Sequence, residues 1–133
     1  MEIEETLTVL VVDGGSTAAQ LRGQGFETVE APNGAVALTM AAEPRIDALV
    51  IDADAPILGG FELCRRVRAA GNQLPIVLMG AEAGVAERVT GLEAGADDFL
   101  VPPVDGVELW ARVRAAARAR KAKRARVRRA ARA

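Results

Sequence analysis

The clearest indication of the fold is a short apolar run, Ala48-Leu49-Val50-Ile51, which ends at Asp52. Two further runs, Leu7 to Val12 and Pro75 to Met79, are nearly as apolar and lack the polar alternation of a strand with one solvent face. Nearly continuous Val, Ile and Leu is typical of strands that are covered on both faces. The three runs therefore predict a parallel sheet.

Two shorter apolar runs, Thr28 to Ala31 and Phe99 to Val101, bring the number of predicted strands to five. Segments with helical spacing separate the runs; one of them contains Val85, Val89 and Leu92 and stops at Gly95. The segment after the first strand is shorter and leaves room for about two turns. This alternation predicts an α/β fold, a doubly wound five-stranded parallel sheet of order 2-1-3-4-5 with helices on both faces.

The last helix has a clear predicted start, with Asp105 as N-cap and Glu108 completing a capping box. Its core-facing residues are predicted to be Leu109, Val113 and Ala116. From residue 118 onward, Ala alternates irregularly with Arg and Lys, which favours a helix but provides no apolar face. We therefore expect a domain over residues 1–117 and a basic helical tail or linker over residues 118–133.

Composition excludes several kinds of function. The 133 residues include no His, so a His base, a His metal ligand and phosphohistidine are excluded. Cys64 is the single Cys, so no intramolecular disulfide exists. The first residues are acidic, unlike a secretory signal, and no apolar run approaches the ~18 residues of a membrane span. We expect a soluble cytoplasmic protein with no membrane partner.

The near-neutral net charge of −1 conceals two oppositely charged regions. Residues 1–108 contain all 18 acidic residues and six Arg, whereas residues 109–133 contain the other eleven basic residues and no acid. The two regions therefore require separate interpretations.

Ligands of doubly wound sheets bind at the carboxyl ends of the strands. Asp13 and Asp52 follow the first and third predicted strands, which are neighbours in the predicted order, so we expect the two carboxylates to share one cleft. Such a pair holds a divalent cation, acts as acid and base, or supplies a nucleophilic oxygen. Each Asp is equally compatible with capping a helix or ending a strand.

From about Thr8 to Arg114 the sequence resembles the receiver domains of bacterial two-component response regulators. The segments that carry the resemblance are Val9-Leu10-Val11-Val12-Asp13, Ala31-Pro32-Asn33-Gly34, Asp47-Ala48-Leu49-Val50-Ile51-Asp52, Pro56 with Gly60, Pro75-Ile76-Val77-Leu78, Gly91 to Leu100, and Glu108 to Arg114. The order and spacing of these segments make the resemblance specific.

The resemblance implies roles for individual residues. Asp52 stands at the phosphoacceptor position, and Asp13 stands at the first of two acidic positions that assemble Mg²⁺. Phe99 stands where an aromatic side chain changes orientation on activation. The peptide bond that precedes Pro103 is usually cis in the family, and a Pro-Pro bond can also adopt that form.

Three positions depart from the family pattern. Gly14 replaces the second acidic residue, Met79 replaces a Ser or Thr, and Pro102 replaces a Lys. These departures predict a degenerate receiver, or pseudo-receiver, that binds Mg²⁺ weakly through Asp13 and Asp52, needs no other cofactor and is not an enzyme. A working phosphoacceptor at Asp52 is the alternative.

Two kinds of partner follow from this interpretation. Receivers commonly bind signalling proteins through the face formed by the fourth helix, fifth strand and fifth helix, and a homodimer is the other protein partner that we consider. The cations of the basic tail predict nucleic-acid binding. The binding should be nonspecific, because the tail contains no aromatic, Asn or Gln residue for reading bases. A solvated helical linker is the alternative interpretation of the tail.

Overall fold

A computed structural model describes residues 6–12, 16–81 and 84–132 and contains one parallel sheet. Its strands are β1 (Thr8–Val12), β2 (Glu27–Glu30), β3 (Ala48–Asp52), β4 (Ile76–Met79) and β5 (Asp98–Leu100). All neighbouring strands are parallel, in the order β2-β1-β3-β4-β5. The predicted fold class and strand order are therefore confirmed.

Each strand boundary differs from the predicted apolar run by at most one residue. The last strand, for example, begins at Asp98 rather than Phe99, because Asp98 is already in register with Val77 of β4. It ends at Leu100 rather than Val101. Strand ends are set by pairing with the neighbouring strand, whereas apolar composition reports only burial.

The helices are α1 (Ser16–Gly23), α2 (Gly34–Met40), α3 (Gly60–Ala69), α4 (Val85–Ala94) and α5 (Gly106–Arg132). Helix α1 is short, with 8 residues, as predicted. Asn33 caps α2 by accepting a hydrogen bond from the Val36 backbone N–H at 2.9 Å. Gly95 ends α4 with a left-handed φ of 118°, which a residue with a side chain rarely adopts.

The helices cover both faces of the sheet and create two cores. Alternate strand residues divide between them: Leu49 and Ile51 of β3 pack with α2, α3 and α4, whereas Ala48 and Val50 pack with α1 and α5. Because both faces are buried, the central strands contain few polar residues. The carboxyl edge of the sheet is therefore where polar side chains gather.

The apolar residues of α4 do not face the core, although their helical spacing suggested it. Its apolar residues at helical spacing, Val85, Val89 and Leu92, are 75%, 46% and 50% exposed, so they face solvent rather than the core. The buried residues of α4 are Gly91 and Ala94. Small residues let the helix pack closely on the sheet while its larger apolar residues remain outside.

Helix α5 is continuous for 27 residues, a length of about 40 Å. Asp105 caps it as predicted, accepting hydrogen bonds from the backbone N–H groups of Val107 (2.8 Å) and Glu108 (3.3 Å). The Glu108 carboxylate lies 3.7 Å from Arg112.

The core residues of α5 are Leu109, Val113 and Ala117; Ala116, predicted to be the third, is only partly buried because it lies one residue off the helical face. The helix passes residue 117 without a break, and the division there stays a prediction. No helix among the described residues is both long and apolar enough to span a membrane.

Candidate functional site

Asp52 ends β3 at the carboxyl edge of the sheet and is partly exposed. Its Oδ1 accepts a hydrogen bond from the backbone N–H of Asp54 at 2.8 Å. Within the described residues Asp52 forms no ion pair with any Lys or Arg. The Asp52 carboxylate is thus oriented by its own loop and is not paired with a cationic side chain of the described residues.

Met79 is the residue directly across from Asp52, on β4. Its backbone carbonyl accepts a hydrogen bond from the Ala53 N–H at 2.7 Å, which joins the two strand ends. The Met79 side chain is 6% exposed and packs in the core beneath α1 and α5. The position that would carry a hydroxyl in the family pattern therefore presents a buried thioether, which is at best a weak acceptor.

The partner of Met79 is a residue that the sequence pattern did not indicate. The Thr17 hydroxyl, in the first turn of α1, donates to the Met79 sulfur at 3.9 Å, and Thr17 is 3% exposed. The sequence of α1, in which Ser, Thr, Gln and Arg alternate with apolar residues, gives no signal for this contact. The contact links α1 to the end of β4 at the site.

The predicted metal ligands are only partly described. Asp13 and Gly14 lie outside the described residues, whereas Val12 is paired with Ile51 of β3. Mg²⁺ requires several oxygen ligands in near-octahedral geometry. Among residues 6–12, 16–81 and 84–132, no three Cys, Asp or Glu side chains come together to hold a metal. Of the two predicted acidic ligands, the described residues contain Asp52 alone.

The loop between β5 and α5 contains the third departure from the family pattern. Pro102 and Pro103 are both exposed, and the peptide bond between them is cis, the form that the sequence analysis allowed for it. Proline has neither an ammonium group nor a backbone N–H. Pro102 therefore supplies no hydrogen-bond donor to a phosphoryl group.

Phe99, at the predicted switch position, points into the core and is 9% exposed. Two glycines make room for its ring: a Cβ on Gly80 would approach the ring to 2.7 Å, and one on Gly91 to 3.0 Å. The first distance is shorter than real Cβ contacts, and the second is tighter than most of them. The glycines therefore provide a fitted space for the inward ring.

The loop after Asp52 contains an unusual backbone conformation at Ile57, which sequence patterns did not reveal. Ile57 has a φ of 70° and is 81% exposed. The Leu58 N–H donates to the Pro56 carbonyl at 2.7 Å, a hydrogen bond between residues two apart. A positive φ with this bond is the pattern of the rare γ-turn, and it is strained for a β-branched residue.

The fold and the site geometry now define the class of protein. Residues 9–114 match the model of the response regulator receiver domain, and the chain belongs to this family. Among curated relatives it is similar to the transcriptional regulatory protein PrrA of Mycobacterium bovis, with 45% identity over 117 residues, which are 84% of this chain and 50% of PrrA. The chain thus spans about half the length of this relative.

Solved structures agree with the family assignment. The receiver domain of Francisella response regulator 1452 superposes with a TM-score of 0.78 at 27% identity, covering 85% of this chain and 98% of that one. The receiver domain of the sensor histidine kinase PA1611 from Pseudomonas aeruginosa, solved with magnesium in its active-site cleft, gives a TM-score of 0.74 at 28% identity over the same shares.

Proposed function

We propose that this chain is a degenerate receiver, which takes part in two-component signalling by docking to other proteins and without ordinary Mg²⁺-dependent phosphorylation. The observation that carries the proposal is the pairing of Asp52 with Met79. The acidic residue at the phosphoacceptor position is retained, but its neighbour offers sulfur and methyl groups instead of a hydroxyl.

The chemistry of phosphoryl transfer supports this proposal. A protein contributes to this transfer mainly by positioning the groups and by neutralising charge on the phosphoryl oxygens. Met79 and Pro102 remove one hydroxyl and one ammonium from the family pattern, and each charge-assisted hydrogen bond contributes about 1.5–3 kcal/mol. Gly14 also removes a carboxylate, which lowers the affinity for Mg²⁺. Phosphorylated Asp52 would therefore be poorly stabilised.

Transmission of a phosphorylation signal would be impaired as well. A ligand shifts a conformational equilibrium only through contacts that differ between the two states. Met79 has no hydroxyl to move towards a phosphoryl group, and the Phe99 ring already fills the space beside Gly80 and Gly91. In the proposed function Phe99 is therefore a core residue rather than a switch.

The exposed side of α4 supports docking to a protein. Val85, Val89 and Leu92 form an apolar stripe on this helix, which contacts β5. Arg112 of α5 pairs with Asp98 of β5 at 3.2 Å, so the neighbouring strand and the last helix carry polar groups. An apolar centre with a polar rim is the usual composition of a protein interface. We assign this face to a signalling protein.

Phosphorylation of the purified chain tests the proposal. The chain is incubated with acetyl phosphate and Mg²⁺, and with beryllofluoride and Mg²⁺, and is analysed by intact mass and amide NMR. We expect no stoichiometric phosphoryl adduct and no chemical-shift changes extending from Asp52 to Phe99. A stoichiometric adduct that is lost in Asp52→Asn, with shifts reaching Phe99, would show a working phosphoacceptor and overturn the proposal.

Photo-crosslinking in cells tests the docking face. A photoreactive amino acid is placed at Val89, and a control is placed at Ala35, which is exposed on α2 on the other side of α3. We expect one defined protein to be crosslinked from position 89 and not from position 35. Crosslinks to a second copy of the chain would make the face a homodimer interface, and equal crosslinking from both positions would contradict docking through α4.

A further inference from the structure

The second half of α5 contains positive charge that no described residue neutralises. Residues 121–132, here called the basic extension, are all exposed. Six of its cations form no ion pair or hydrogen bond with any described residue, namely Lys123, Arg124, Arg126, Arg128, Arg129 and Arg132. Unpaired cations at this density indicate a polyanionic partner.

The residue just before the extension, Arg120, contacts the domain. The Arg120 guanidinium donates to the backbone carbonyl of Ile46 at 3.3 Å and is partly buried. Burial, and secondarily the charge of Arg124, lower the pKa of Arg120. Arg120 therefore contacts the domain, and the cations that follow it face solvent.

The arrangement of side chains excludes two other uses of a basic helix. Successive helical residues are rotated by about 100°, so Lys123, Arg124 and Arg126 point in three different directions. Val127 is the only large apolar residue of the extension and is 61% exposed. No apolar stripe exists to enter a membrane surface or to form a coiled coil. Recognition must rest on charge.

We propose that the basic extension binds the phosphate backbone of double-stranded DNA without sequence preference. The duplex carries about one negative charge per 1.7 Å of its axis, which is a dense array of anions for the exposed cations of the extension. The extension has no aromatic, Asn or Gln residue with which to read or stack on bases. The acidic domain repels DNA, so the extension alone makes the contact.

The acidic surface of a second copy is the competing partner, and the ion pairs of the domain count against it. Six of its acidic side chains are already paired with Arg residues: Glu30, Glu43, Glu62, Asp97, Asp98 and Glu108. Their charge is partly neutralised and spread over several faces. A duplex offers a denser and more continuous array of anions.

DNA binding should also stabilise the helix of the extension. Arg124, Arg128 and Arg132 follow one another at intervals of four residues, and like charges at this spacing destabilise a helix. Phosphates that neutralise these charges remove the repulsion. Binding should therefore raise the helical signal of the chain in circular dichroism.

Fluorescence anisotropy of the full chain with a short labelled duplex of mixed sequence tests the proposal. We expect binding at low salt, equal competition by an unrelated duplex, and a slope of log affinity against log salt of about −5 if six cations contact phosphates. The triple variant Arg124→Gln, Arg128→Gln, Arg132→Gln removes three cations that follow one another along one side of the helix and should reduce the magnitude of that slope by about 3.

A matched control removes three exposed cations of the domain, Arg22→Gln, Arg45→Gln and Arg65→Gln, and should leave the slope unchanged. Circular dichroism checks that both variants are folded. Absence of binding at low salt, or equal loss in both variants, would overturn the proposal. Salt-sensitive self-association in sedimentation experiments that the tail variant abolishes, without DNA binding, would assign the extension to a second copy instead.

Discussion

Asp52 and Met79 are partners across β3 and β4, and the Ala53 N–H donates to the Met79 carbonyl just beyond them. The strand ends are thus joined at the point where the family pattern has its reactive carboxylate. The Met79 side chain is buried in the core, where the Thr17 hydroxyl donates to its sulfur. The fold retains the backbone of the site, while the side chain at position 79 contributes to packing.

Restoring the missing groups should restore phosphorylation. The triple variant Gly14→Asp, Met79→Thr and Pro102→Lys regains a carboxylate, a hydroxyl and an ammonium. If the last two each contribute about 1.5–3 kcal/mol, the yield of phosphorylated chain should rise by about 100-fold or more. Intact mass after incubation with acetyl phosphate and Mg²⁺ measures this yield.

The control for this restoration is Asp52→Asn in the same triple variant, which should abolish the adduct. Thermal unfolding of both variants is measured as a check on folding. Met79→Thr removes buried apolar volume and should lower the free energy of unfolding by about 1–3 kcal/mol. A folded triple variant that is no better phosphorylated than the natural chain would argue that these three positions are not what limits the reaction.

Replacing Ile57 with Gly should stabilise the protein. The strain of a positive φ costs about 1–3 kcal/mol, which Gly would relieve. The greater conformational freedom of Gly in the unfolded chain reduces this gain by about 0.5–1 kcal/mol. We expect the free energy of unfolding to rise by about 1 kcal/mol in urea titrations. Ile57→Val retains the β-branch and should show no gain; a loss of stability in Ile57→Gly would contradict a strained turn.

The Cys64 thiol should be unreactive in the folded protein. Cys64 is buried on α3, and burial raises its pKa from 9.0 to about 11. At about pH 8 almost no thiolate is present, so a thiol reagent should modify Cys64 slowly in the native state and rapidly in denaturant. Rapid native modification would contradict this burial.

The same pKa shift predicts a dependence of stability on pH. The folded state favours the neutral thiol, so the stabilisation is complete below the unfolded pKa of 9.0 and is lost as pH rises towards the folded pKa of about 11. The loss should reach about 2–3 kcal/mol at most. Urea titrations of the natural chain and of Cys64→Ala measure it, because the difference between them should shrink over this range.

Much of the fold could be predicted from the sequence, because burial on both faces produces apolar runs that need no knowledge of contacts. The run Ala48 to Ile51 indicated a central strand, and Gly95 indicated the end of α4; both are confirmed. The outward direction of Val85, Val89 and Leu92 could not be predicted, since helical spacing does not say which face meets the sheet.

At the site, too, some features could be predicted from the sequence and others depend on packing. Asp52 could be located from the sequence because a polar residue directly after a buried strand marks the carboxyl edge. The contact of Thr17 with Met79 brings together residues 62 positions apart, and only the packing of α1 against β4 creates it. The positive φ of Ile57 follows from how the loop closes, with the Pro56 carbonyl accepting hydrogen bonds from both Leu58 and Gly34.

The amino-acid sequence alone determined the parallel sheet, its strand order, the retained Asp52 and the basic character of the last helix, because apolar periodicity and charge are local properties of the chain. The tertiary structure decided that Met79 is directed into the core, that Phe99 fits between two glycines and that Arg120 contacts the domain. These features depend on distances between residues far apart in the chain, which packing alone determines.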